Sequence, residues 1–157
     1  MILCRFENGG KGKLRHVTVK ALTVNDKGEV LLIKRAQNLL RGGKYDIPGG
    51  FLDRDENSRE GALRELFEET GIKGKIQFLF RVNDNPKRPN EDRQNLDIIY
   101  VVKSVKGRLK IDSESTRAGW FSRKNLPPEE EFAFDHRDSI LRYFKYLKQP
   151  EKLPIVG

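Results

Sequence analysis

The chain has 157 residues, enough for one domain with its own core and too few for two ordinary ones. Hydrophobic residues make up 36% and charged residues 34%, and the nine Phe among scattered Val, Ile and Leu exclude wholesale disorder. Lys and Arg number 31 against 23 Asp and Glu, a net +8 that points to an anionic partner. The longest apolar runs are about five residues, far below the roughly 20 that cross a bilayer, so no membrane partner is expected. Cys4 is the only cysteine, which excludes an internal disulfide and a thiolate metal cage. The opening residues, MILCRFENGGK, lack the basic and apolar regions of a secretory signal, and the expected location is the cytoplasm.

No repeat, low-complexity tract or linker divides the chain, so residues 1–157 read as one domain. Residues 16–24 and 29–34 have strand character and are joined by Asn25-Asp26-Lys27-Gly28, a turn of residues that tolerate positive φ. A glycine-rich loop, 41–44, leads to the short apolar piece Tyr45 to Ile47 and to Pro48-Gly49-Gly50, where the chain turns or approaches something closely. A helix is predicted over 58–70, capped by Asn57 with Glu60 answering it and ended at Gly71. Strands are predicted at 75–82, 96–104 and 117–121, with a long polar loop over 83–95. A second helix is predicted over 136–148, capped by Asp135, with Ile140, Leu141, Phe144 and Leu147 at helical spacing.

The charge is unevenly spread. Residues 50–72 hold seven acids against three bases, which leaves +12 on the rest of the chain. On a helical wheel Glu65, Glu68 and Glu69 share an arc of about 100°, while Ala62, Leu63, Leu66 and Phe67 occupy a largely different face. Like charges three and four residues apart repel, and Arg64, at the edge of the group, can orient a carboxylate without neutralising all three. Carboxylates converging in this way suit a hard, oxygen-seeking cation such as Mg²⁺.

The stretch from Gly50 to Ile72, GFLDRDENSREGALRELFEETGI, resembles the Nudix box at all nine specified positions: Gly50, Glu56, Arg64, Glu65, Leu66, Glu68, Glu69, Gly71 and Ile72. Chance agreement is on the order of 10⁻⁹ per starting position. The resemblance implies a Nudix hydrolase, an α/β/α sandwich with a mixed sheet, which cleaves a nucleoside diphosphate linked to another moiety. Carried over by position, Glu65, Glu68 and Glu69 are the expected ligands of Mg²⁺ or Mn²⁺, the Gly49 carbonyl a further ligand, and Glu56 and Arg64 supports of the loop and helix. A metal is needed on energetic grounds, since a positioned general base gives about 10² to 10⁴ in rate and enzymes supply far more. Relatives place an acid in a loop before a Trp-containing strand, which makes Glu114 the first candidate for the base and Asp112 the second.

Two further segments resemble the ADP-ribose pyrophosphatase branch: Pro89, separated from Ile72 by sixteen residues, and Phe132-Ala133-Phe134-Asp135-His136 after Leu126-Pro127-Pro128. The loop 90–94 and Glu129-Glu130-Glu131 depart from that pattern. For the substrate, Arg35, Arg81 and Arg88 are candidate phosphate or ribose contacts, and Tyr45 and Phe134 candidate stacking partners. His16 and His136 read as structural, and Cys4 as inert. The leading expectation is hydrolysis of ADP-ribose to AMP and ribose 5-phosphate. The alternatives are a Nudix enzyme for oxidised nucleoside triphosphates or dinucleoside polyphosphates, and a non-catalytic nucleotide sensor or nucleic-acid-binding module. The partner expected is a small nucleoside diphosphate derivative rather than nucleic acid, and the family resemblance is compatible with a homodimer.

Overall fold

The computed structural model describes residues 2–88 and 94–157. Its elements are strands β1 (Ile2–Arg5), β2 (Lys11–Leu14), β3 (Val17–Val24), β4 (Val30–Arg35) and β5 (Tyr45–Asp46), helix α1 (Ser58–Thr70), strands β6 (Lys73–Asn83), β7 (Leu96–Lys106) and β8 (Ser115–Phe121), helix α2 (His136–Tyr146) and strand β9 (Ile155–Val156). β1 and β2 form a separate hairpin. The remaining strands make one mixed sheet in the order β5-β4-β3-β7-β6-β9, with β8 on the free side of β4. β3 runs parallel to β7 and β9 parallel to β6, while the other pairings are antiparallel.

Period-two alternation in the strands divides the core into two layers. Val19 and Ala21 of β3, Leu31 of β4, and Tyr100 and Val102 of β7 pack with Ala62 and Leu66 of α1. The intervening residues Leu22, Val24, Val30, Leu32, Ile99 and Val101 pack with Ile140, Tyr143 and Phe144 of α2. One helix on each face of a mixed sheet is the α/β/α sandwich expected. Among the described residues no helix is long and apolar enough to cross a membrane.

α1 starts and stops where its residues dictate. The Asn57 carboxamide accepts from the Arg59 and Glu60 N–H groups, Glu60 reaches back to the Asn57 N–H at 3.0 Å, and Gly71, at φ 69°, closes the helix by donating to the Phe67 carbonyl. Phe67 departs from the wheel: it is 40% exposed, with the ammonium groups of Lys73 and Lys110 near its ring.

At the α2 end two expectations need correction. Asp135 makes no cap hydrogen bond, because its carboxylate accepts from Asn83 Nδ2 and Arg88 Nε instead. The helix also ends at Tyr146, leaving Leu147 exposed while Tyr143 fills the core. The β1–β2 hairpin and β9 were not foreseen, since each is short and gains its pairing from a partner. β6, β7 and β8 are each longer than their sequence patterns indicated.

The turn between β3 and β4 forms as read, with the Asn25 side chain accepting from the N–H groups of Lys27 and Glu29. Only Val24 and Val30 pair in that hairpin. Beyond them the edge of β3 is taken by residues 48–52: Ala21 donates to the Pro48 carbonyl, Val19 to that of Gly50, and Leu52 back to that of Val17. This insertion lays Gly49 and Gly50 beneath α1. Since Asn57 satisfies two of the helix's first N–H groups, Asn57→Ala should lower stability by about 1 kcal/mol, read as a shift in the urea midpoint with the slope unchanged.

Candidate active site

Close backbone approach sets the geometry. A Cβ on Gly49 would lie 2.1 Å from the Val19 carbonyl oxygen, and one on Gly50 would lie 2.5 Å from Glu65 Oε1. Gly49 also has φ 147°, which side-chain-bearing residues rarely adopt. With glycine at both positions, the 48–50 turn fits against the acidic face of α1.

Glu65, Glu68 and Glu69 open on one cleft of about 530 Å³, a size suited to a small ligand. Glu69 is almost fully buried and accepts from the Gly49 N–H at 2.8 Å. Burial pushes its pKa up to about 8, against the opposing charge of Lys20. Glu65 is raised by burial too, with Arg64 pulling the other way. Glu68 is half exposed.

Arg64 does more than edge the group. Its guanidinium donates to both oxygens of Glu56, to Glu65 at 2.9 Å, to Glu68 at 3.1 Å and to the Phe51 carbonyl. The pairing holds Glu56 below the usual carboxylate range. Thus Glu65 and Glu68 are oriented by Arg64, and Glu69 by Gly49. The donor set is oxygen alone, and among the described residues Glu69 is given no direct side-chain cation, only the Gly49 N–H. Both features fit a hard divalent cation.

Asp97, Asp135 and His136 form a second group whose ligand atoms lie within 4.8 Å of one another. A cation of the chain already fills it. Arg88 Nη2 lies 2.8 Å from Asp97, 2.8 Å from Asp135 and 3.1 Å from His136 Nε2. Around it Asp97 accepts from the Thr18 hydroxyl, His136 Nδ1 contacts Asp46, and Asp46 pairs with Lys20 and Arg35. Although burial would raise Asp46 and Asp97, their cationic neighbours hold both well below the usual carboxylate range. Burial alone would lower His136, but Asp46 and Asp97 hold it above its ordinary value.

Asp112 and Glu114, which line the same cleft, precede β8. Glu114 is exposed, its N–H donates to Asp112 Oδ1, and its carbonyl accepts from Ala36 N–H at 2.7 Å. Arg35 donates to Asp46 and to the Leu40 carbonyl. Phe134, at φ 55°, stands at the rim with Arg35 at 5.9 Å and Arg88 at 6.0 Å from its ring centre. A non-glycine residue in that conformation is strained, a feature that clusters at functional sites.

Two expected substrate contacts lie elsewhere. Arg81 is buried on the α2 side, where it donates to Asp138, Ser139 and the Gly157 carbonyl. The register of β6 shifts between Leu79 and Arg81, which upsets counting by parity. Tyr45 packs in the core against Phe121 and Phe132. Arg88 lines the cleft with its charge committed to Asp97 and Asp135. Pro89 and most of the loop 90–94 lie outside the described residues. The residues missed are Lys20, Asp46 and Asp97, and a polar residue inside an otherwise apolar strand run was the available signal.

The NUDIX domain model matches residues 14–143. An ADP-ribose pyrophosphatase of Methanocaldococcus jannaschii is 32% identical over 123 residues, covering 78% of this chain and 70% of that protein. An 8-oxo-dGDP phosphatase of Mus musculus is 31% identical over 113 residues, 69% of this chain but only 33% of that protein. A NUDIX hydrolase structure from Nitrosomonas europaea superposes with a TM-score of 0.80 at 22% identity, covering 99% of this chain and 92% of that one. The chain belongs to the Nudix family and is a Nudix hydrolase. Enzymes of this family generally work with divalent cations on small nucleotide derivatives.

The Glu69 pKa fixes the sign of one pH effect. The folded chain keeps a proton there that the unfolded chain releases above about 4.5, so this residue's contribution to stability falls as pH rises towards about 8. With divalent ions chelated, urea midpoints should therefore decline across that window, and Glu69→Gln should decline less steeply.

Proposed function

We propose that the chain hydrolyses ADP-ribose to AMP and ribose 5-phosphate, with Mg²⁺ or Mn²⁺ as cofactor. One observation carries the reading: one cleft is lined both by Glu65, Glu68 and Glu69 and by Arg35 and Phe134. Diphosphate hydrolysis needs that pairing of a cation-holding wall with a surface for phosphate and base. The archaeal relative named as an ADP-ribose pyrophosphatase supports the choice of substrate.

In this reading Glu65, Glu68 and Glu69 hold the cation. When bound, it lowers the pKa of the attacking water and screens charge developing on the diphosphate oxygens. Glu114, which lines the same cleft, accepts the proton of that water, with Asp112 beside it as the second candidate. Arg35 presents the N–H groups left over from Asp46 and Leu40 to the diphosphate. Phe134 offers its ring to the adenine, and Arg88 fixes that ring from behind. Glu56 and Arg64 keep Glu65 and Glu68 in register.

The mouse relative, an 8-oxo-dGDP phosphatase, favours a second reading in which an oxidised nucleotide occupies the same cleft. A substrate panel with Mg²⁺ separates the two: ADP-ribose is expected to release AMP, whereas cleavage confined to 8-oxo-dGDP would shift the assignment. Glu69→Gln should keep the circular dichroism spectrum and lower kcat by at least about 10²-fold. Glu114→Gln should lower kcat about 10²- to 10⁴-fold with KM little changed, and full activity in that variant would remove it as the base.

A further inference from the structure

We propose that Lys20 is a resident cation of the catalytic cleft, holding the Gly49 carbonyl where a metal ion would otherwise take it. The inference rests on the reading of Glu65, Glu68 and Glu69 as cation ligands, and it adds a residue that the box pattern does not contain.

Lys20 sits in the middle of β3, between Val19 and Ala21, with its side chain only 7% exposed. A buried ammonium is costly unless its protons are all engaged. Here the segment 46–49 wraps around it: Nζ lies 3.2 Å from Asp46 Oδ2, 3.3 Å from the Ile47 carbonyl and 3.2 Å from the Gly49 carbonyl. Gly49 is thereby pinned twice, through its carbonyl to Lys20 and through its N–H to Glu69. The ammonium borders the cleft itself, and its charge acts on Glu65 and Glu69.

A carbonyl oxygen has a second lone pair, but a positive charge 3.2 Å away repels any further cation placed on it. Lys20 therefore withdraws the Gly49 oxygen from the ligand set and supplies one permanent positive charge beside Glu69. That charge is present before any ion arrives. It is a positioning residue, acting through Gly49 and Glu69 rather than on the reacting atoms.

The test counts Mn²⁺ bound to the full chain, without nucleotide, by electron paramagnetic resonance titration. Lys20→Met removes the ammonium yet leaves Asp46 paired with Arg35 and in contact with His136, and circular dichroism checks the fold. It is expected to bind about one Mn²⁺ more per chain than the native protein, as an ion replaces the lost charge at Gly49. Lys20→Gln keeps a hydrogen-bond donor without the charge, and because the charge is what excludes an ion from Gly49, it is expected to bind the additional Mn²⁺ as well. It alone decides the matter if Lys20→Met does not fold. The native count in every folded variant would overturn the role of Lys20 while leaving the proposed function standing. A native chain that binds no Mn²⁺ would overturn both.

Discussion

Three carboxylates on a turn and a half of α1 repel one another, and the surroundings are built to hold them together without cancelling them. Arg64 spans Glu56, Glu65 and Glu68, whereas Glu69 receives only a backbone N–H and the more distant field of Lys20. The first arrangement fixes direction; the second leaves charge to be satisfied. Both depend on two glycines, since a methyl group on either would collide with Val19 or with Glu65.

The opposite face of the sheet carries a different kind of electrostatics. Lys20, Asp46, Asp97, Arg88 and His136 are all buried, and each positive group meets a carboxylate. Such a network stabilises little over an apolar core of the same shape, because desolvation offsets most of the attraction. What it provides here is placement. Arg88 braces Phe134, Asp46 ties Arg35 to the cleft, and Lys20 sets Gly49. The side of the cleft that carries Arg35 and Phe134 is thus held by the α2 layer, and the acidic side by the α1 layer.

Helix α1 and its acids were legible in the sequence because every determinant is local: the Asn57 cap, the Gly71 stop and three acids at helical spacing lie within fifteen residues. The glycine entry was legible for the same reason. Lys20, Asp46 and Asp97 were not, because what fixes their role is pairing between separate elements: Lys20 with Asp46, Asp46 with His136, and Asp97 with Thr18 and His136. Arg35 and Arg81 show the limit clearly. Both are arginines in strands, and only the register shift in β6 sends Arg81 towards α2 and away from the cleft. Tyr45 was misplaced because an aromatic ring beside a glycine loop serves a core as well as a ligand, and the sequence carries no sign of which side of β5 faces Phe121.

The Glu69 carboxylate sharpens the balance between folding and chemistry. Burial makes an ionised Glu69 costlier in the fold than in water, with Lys20 opposing that cost and Asp46 and Glu65 adding to it. A chain selected for stability alone would place a neutral residue there. The cost is tolerable because the carboxyl can keep its proton at neutral pH, and a cation held there as proposed would displace it. Lys20 narrows the same gap from within, and its position in β3, away from the moving solvent, means that this part of the compensation does not depend on ion concentration.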